Sequence, residues 1–327
     1  MRRTNLGLAL LLATATLIAT AGCGVIAAER GTFDRTLTVS GPARIDLTNG
    51  SGRVEILKGA DGQVRIHAEV RAGGFSSSDA RKRLDEIVSN PPVEQSGNVI
   101  RIGKDRFRLR NVSIDYRVEV PHDTEVESAV GSGSQSVQDI RGPARLTTGS
   151  GEVRAMHIRE ETHMTSGSGS LEAADIGGDL RCTTGSGGIT VSSIQGDIRI
   201  TAGSGSIHIS KPMSRVEANT GSGSVTVQGA SSDVNARSAS GSLVIQGNPA
   251  SNTFWDLHTA SGGVELTVPS NASFRLSASA VSGGIQTDIP IVIEEQGRHS
   301  LRARIGNGGA RVEVATVSGS IRVRGTN

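Results

Sequence analysis

The tripeptide Gly-Ser-Gly begins at Gly131, Gly149, Gly167, Gly185, Gly203 and Gly221, always 18 residues apart. Ala239-Ser240-Gly241 keeps the interval. It then widens through Ala260-Ser261-Gly262, Val281-Ser282-Gly283 and Val317-Ser318-Gly319. One earlier copy, Gly50-Ser51-Gly52, stands far upstream. A period held this long restricts the chain to repeat architectures, in which each unit buries its apolar face against the next.

Counted from the first Gly of each unit, position 5 reads Gln135, Val153, Leu171, Ile189, Ile207, Val225 and Leu243. Position 7 reads Val137, Ala155, Ala173, Val191, Ile209, Val227 and Ile245. Positions 14 and 16 repeat the theme in Leu180/Cys182, Ile198/Ile200 and Val216/Ala218. Apolar residues two apart make a strand with one buried face. Each unit is therefore two short strands joined by two turns. Stacked units predict an all-β fold, a flattened β-solenoid with coils of 18 residues. A triangular coil of three hexapeptides would set the key apolar residues six apart, which these are not. The 43 glycines fit turns and close coil-to-coil approach, and the 2% aromatic content fits a core too thin for rings.

Four stretches follow from this reading. Residues 1–22 are a signal segment, 23–35 a tether, 36–130 irregular first coils, and 131–327 regular and then loosening repeats. A short helix near 78–89 is expected as an insertion or cap. Ser76 to Asp79 offers capping groups, Ala80, Leu84, Ile87 and Val88 form one apolar face, and Pro91-Pro92 ends it. Solenoid ends need such covers, because an open end exposes unpaired strand edges.

Arg2 and Arg3 precede the 16-residue apolar or small run Leu6–Ala21, short for a membrane span but suited to a secretory signal. Ala21-Gly22-Cys23 resembles the bacterial lipoprotein signal, in which the cysteine is acylated and becomes the first residue; Thr20 stands where leucine is usual. The resemblance implies lipidation at Cys23 and a membrane partner through the acyl chains. Gly24 in place of an aspartate leans towards the outer membrane where a cell has two. Cleavage before Cys23 removes Arg2 and Arg3 and takes the formal charge from +2 to zero. No nucleic-acid footprint is expected at such a balance.

Chemistry is sparse. The Gly-Ser-Gly serines recur without a periodic histidine and read as turn residues, and no nucleophile elbow, Walker loop or zinc-protease motif occurs. Neither a cofactor nor a metal site is expected. Cys182 falls at an inward position and reads as a small buried hydrophobe. Thr147, Thr165, Thr183 and Thr201 form an outward rank at position 17. Arg145, His163, Arg181 and Arg199 share position 15 and should stack on one outer face, a candidate for anionic glycans. Asp179 and Asp197, two residues before two of those arginines, should neutralise that face in part.

The lipoprotein-like start, the early helix and the recurrent Ser-Gly-x-[Val/Ile/Leu]-x-[Val/Ile/Ala] coils resemble a bacterial family of putative adhesins, a domain of unknown function. The resemblance spans roughly Thr36 to Arg324 and supplies no catalytic residues. It implies a non-enzymatic envelope lipoprotein whose solenoid is a binding or scaffolding surface for an envelope glycan or protein. The alternatives are an envelope-stress sensor or accessory protein, and a carbohydrate-active β-helix enzyme. The enzyme would need clustered carboxylates and aromatic platforms for sugar rings.

Overall fold

The computed structural model describes residues 27–104 and 111–326. Two long sheets, of 14 and 15 strands, face each other across one thin core. Positions 5 and 7 lie in the first sheet and positions 14 and 16 in the second. Pairing is parallel, and each residue meets the one a full coil away: Leu171 faces Ile189 and Ile189 faces Ile207, while Leu180 faces Ile198 and Ile198 faces Val216. The register equals the sequence period, so like residues stack in columns. Ile189 and Ile198 are buried, and Thr190 and Arg199 are exposed.

Four features pin the corners. Ile140, Ile158, Ile176 and Ile194 fill one corner from inside. The residue before each of them (Asp139, His157, Asp175 and Ser193) has a left-handed backbone, with φ between 54° and 58°. At the other corner the second Gly of each Gly-Ser-Gly lies directly over its counterpart. A Cβ at Gly169 would sit 1.5 Å from the Gly151 carbonyl oxygen, so only glycine permits the coil spacing. Buried hydroxyls at position 18 close the turn: Thr184 Oγ1 donates to the Gly169 carbonyl at 3.1 Å and accepts from the Gly187 amide at 3.1 Å. Thr220 does the same with Gly205 and Gly223.

Nine strands and one helix build the N-terminal end: β1 (Ala27–Thr38), β2 (Ala43–Ser51), β3 (Val54–Lys58), β4 (Gln63–Gly74), α1 (Ser77–Ser89), β5 (Val93–Ser96), β6 (Val99–Ile102), β7 (Val112–Val120), β8 (Thr124–Ser132) and β9 (Gln135–Gln138). Residues 27–35, expected as tether, belong to β1, which pairs antiparallel with β4 along its length. The alternation in Gly31, Phe33 and Arg35 is weak, which is why the strand escaped the sequence reading. The helix starts where expected, with Ser76 Oγ accepting from the Asp79 amide at 3.2 Å. Its buried residues Ala80, Leu84 and Ile87 pack on β1 and β4. Spatial order departs from chain order here. The coil β2–β3 lies between β6–β7 on one side and β8–β9 on the other.

The C-terminal end repeats the device. Ala310–Ser318 inserts between Phe254–Ser261 and Phe274–Ser282, and Ile321–Thr326 between Val264–Pro269 and Ile285–Thr287. The expected loosening of the repeat is thus a reordering. Ser318 pairs with both Ser261 and Ser282, so the Ser-Gly column continues unbroken. An antiparallel hairpin, Val292–Gln296 and Ser300–Ile305, then covers the second sheet's edge.

Candidate functional site

The outer face of the second sheet carries three parallel columns. Position 15 brings together Arg145, His163, Arg181 and Arg199 on four adjacent strands, as the period predicts. Position 17 places Thr147, Thr165, Thr183 and Thr201 beside them, all exposed. Position 13 supplies Glu161, Asp179 and Asp197 on the other flank. Glu127 precedes the cationic run and Glu217 follows it in the same column.

The charge pairing differs from the expected one. Arg199 Nε meets Glu217 Oε2 at 2.9 Å, one coil along, rather than Asp179 or Asp197. That hydrogen bond holds the Arg199 guanidinium above its ordinary pKa and is the main cause of Glu217 lying below its own. The two aspartates serve the backbone and a hydroxyl: Asp179 Oδ1 accepts from the Asp197 amide at 2.9 Å, and Asp197 Oδ1 from Ser214 Oγ at 2.5 Å. Position-15 partners face each other across strands, so a carboxylate in the next coil is better placed than one two residues back.

His163 is not a cation like its neighbours. Burial first, and then the Arg145 charge, hold its imidazole below the usual range. The rank therefore presents three guanidiniums around a neutral ring. Two shallow grooves follow it. One of about 280 Å³ runs between Asp179, Arg181, Asp197, Arg199 and Glu217, and one of about 260 Å³ between Arg44, Glu127, Arg145 and His163. Such open, charged hollows suit a flexible polar chain better than an enclosed small molecule.

Other sequence-derived candidates fall elsewhere. Cys182 is buried, and burial pushes its thiol up to about 12. At that value it is an inert part of the core. Cys23 lies outside the described residues. Among the described residues no group of three or more His, Cys, Asp and Glu is arranged to hold a metal, and no helix is long and apolar enough to cross a membrane. Thr147 and its rank were legible from the period. The buried hydroxyl column at position 18 was missed, although Thr148, Ser166, Thr184, Thr220 and Ser238, each immediately before a repeat's first residue, are its signal.

Two facing parallel sheets, stacked in 18-residue coils and closed by antiparallel covers, define a β-solenoid with shallow outer grooves. Within that class, the chain belongs to the Toastrack DUF4097 family, whose model matches residues 92–229 and again 179–324. The two matches overlap, as a periodic chain allows. Three solved structures are similar to it. A putative cell adhesion protein from Clostridium sporogenes is 9% identical, with 90% of this chain and 100% of that one covered and a TM-score of 0.20. A putative adhesin from Bacteroides fragilis is 8% identical, covering 90% and 97%, with a TM-score of 0.35. A putative lipid binding protein from Parabacteroides distasonis is 14% identical, covering 89% and 96%, with a TM-score of 0.35. No curated protein matches the chain.

Proposed function

We propose that this chain is a non-enzymatic lipoprotein of the bacterial cell envelope, tethered through Cys23, whose solenoid is a binding or scaffolding surface. One observation carries the reading: the outward columns of the second sheet run in register across successive coils. They repeat Arg, Glu or Asp, and Thr at strand spacing. Strands lie about 4.8 Å apart, so an extended polymer can meet the same group again and again. The adjoining acids make the expected contact with anionic envelope glycans weak and salt-sensitive.

Purified envelope polymer should bind the wild-type protein at low salt. The combined change Arg145→Gln, Arg181→Gln and Arg199→Gln should abolish that binding with the melting temperature nearly unchanged. Indistinguishable binding curves eliminate this face. Anchoring is checked separately by detergent-phase partitioning. Cys23→Ser should leave the detergent phase or stall as precursor, and a wild-type protein without acyl mass removes the lipoprotein reading.

A further inference from the structure

At the C-terminal end the second sheet reverses its sign. In the central coils position 13 carries Glu161, Asp179 and Asp197. Along the same column, beyond Phe254, the residues on adjacent strands are Arg311, Arg275 and Arg304, and then Val292. Arg311 faces Arg275 and Arg275 faces Arg304 directly. Three guanidinium stems therefore stand in a row about 10 Å long.

Like charges directly opposite across strands are unfavourable. Several outward arginines elsewhere have an acid beside them: Arg44 meets Glu125 and Glu127, Arg215 meets Asp233, and Arg237 meets Asp256, while in the position-15 rank Arg199, opposite Arg181, is paired with Glu217. Here relief is lacking. Arg275 and Arg311 form no ion pair among the described residues, and Arg304 reaches only Glu294, at 3.9 Å. Glu295 is taken by Arg302 at 2.7 Å, which leaves Glu313 as the nearest carboxylate along the strand.

The row is also supported from the side. The loop Gly306-Asn307-Gly308-Gly309 lies against it, and a Cβ at Gly308 would stand 3.2 Å from Arg304 Cγ and 3.4 Å from Arg275 Cγ. The backbone thus packs on the arginine stems, with Gly308 at φ 65°. Phe254, 40% exposed, and Val292, 53% exposed, mark the two ends of the row.

We propose that Arg275, Arg304 and Arg311 form a binding site for phosphate groups, separate from the position-15 face. Planar guanidinium forks at strand spacing donate paired hydrogen bonds to phosphate oxygens, and a phosphate between two neighbours offsets their repulsion. The same chemistry is carried by an anionic lipid headgroup and by free phosphate polymer, and the apolar ends of the row suit the acyl chains that accompany the headgroup.

The test titrates the full-length protein with four soluble probes: inorganic polyphosphate, dihexanoyl phosphatidylglycerol, dihexanoyl phosphatidylcholine and polyglutamate. Polyphosphate or the phosphatidylglycerol should bind, with the other two at least tenfold weaker. Arg275→Gln with Arg304→Gln and Arg311→Gln should lower that affinity tenfold or more. Arg145→Gln with Arg181→Gln and Arg199→Gln removes the weaker anion face proposed above and should lower it by no more than about twofold. If the triple change at the row disturbs folding, Arg275→Gln alone should still weaken binding severalfold and Arg275→Lys less so. Binding of phosphatidylglycerol alone assigns the lipid source, and of polyphosphate alone the free one. No binding of either, equal binding of polyglutamate, or loss only in the position-15 variant overturns the proposal. That last result would leave the surface reading intact, and loss only in the row variant would leave this site standing without it.

Discussion

The central coils and the two ends solve the same stacking problem differently. Between Gly131 and Gly247 chain order equals spatial order, and every coil meets its neighbour in sequence. At each end one coil lies between two others formed elsewhere in the chain, and antiparallel strands cover the edges except for the first sheet's C-terminal edge, which finishes on the parallel strand Ile285–Thr287. A solenoid extended only by repetition would finish on a full row of unpaired backbone groups. The middle therefore shows what repetition supplies, which is columns of identical contacts. The ends show what it cannot supply, which is a stop.

Seven substitutions sharpen or break that contrast. The largest effect belongs to Ile189→Asp, which buries a carboxylate between two apolar strands and should cost about 3 kcal/mol or more in urea unfolding. Thr190→Asp, outward in the same strand, and Ile293→Asp, exposed at the C-terminal edge, should each stay within about 0.5 kcal/mol. Equal damage from all three contradicts the register. Next comes the glycine column. Gly169→Ala forces a methyl into the coil below and should cost about 1–3 kcal/mol. Gly50→Ala, with nothing within 4 Å of the added atom, should be close to neutral. A similar loss at both would mean that a neighbour stands as close to Gly50 as Gly151 does to Gly169.

Smaller effects come from polar groups. The Tyr116 hydroxyl is buried near the N-terminal end without a protein partner, and burial raises its pKa. Tyr116→Phe should leave stability unchanged or raise it by up to about 1 kcal/mol. A clear decrease in the melting temperature would show that the hydroxyl is satisfied by bound water. The smallest effect concerns His163. Its folded pKa is depressed, so the unfolded chain binds a proton first as pH falls. Its contribution is complete above the ordinary histidine value of about 6.5 and declines below it until the folded ring also protonates. His163→Gln should flatten that part of the melting-temperature profile, and an unchanged profile would sever the link.

Much of this was legible because register and period coincide. Any residue in the central coils could be assigned a face and a neighbour by adding 18, which located Ile189, Ile198 and the Arg145–Arg199 rank. The same rule leads from Arg199 to its ion-pair partner Glu217, but Asp197, two residues back along the strand, drew the expectation instead. The rule failed wherever order in space departs from order in the chain. Arg275, Arg304 and Arg311 share no interval, and only the inserted strand brings Arg311 beside Arg275. The left-handed corners were hidden for another reason: Asp, His, Ser and Lys occupy them instead of glycine, so composition gave no sign.

The inserted C-terminal coil has a consequence for how the molecule is made. Residues 310–326 leave the ribosome after the strands they separate, so Phe254–Ser261 and Phe274–Ser282 must wait without their common partner. Contacts across such separations form slowly, and a waiting strand edge invites pairing with another chain. A translation product stopped before Ala310 would not lack a dispensable tail. It would have a gap in its stack, with two edges open to proteases and to each other. Emergence of residues 310–326 is thereby coupled to closure of the fold.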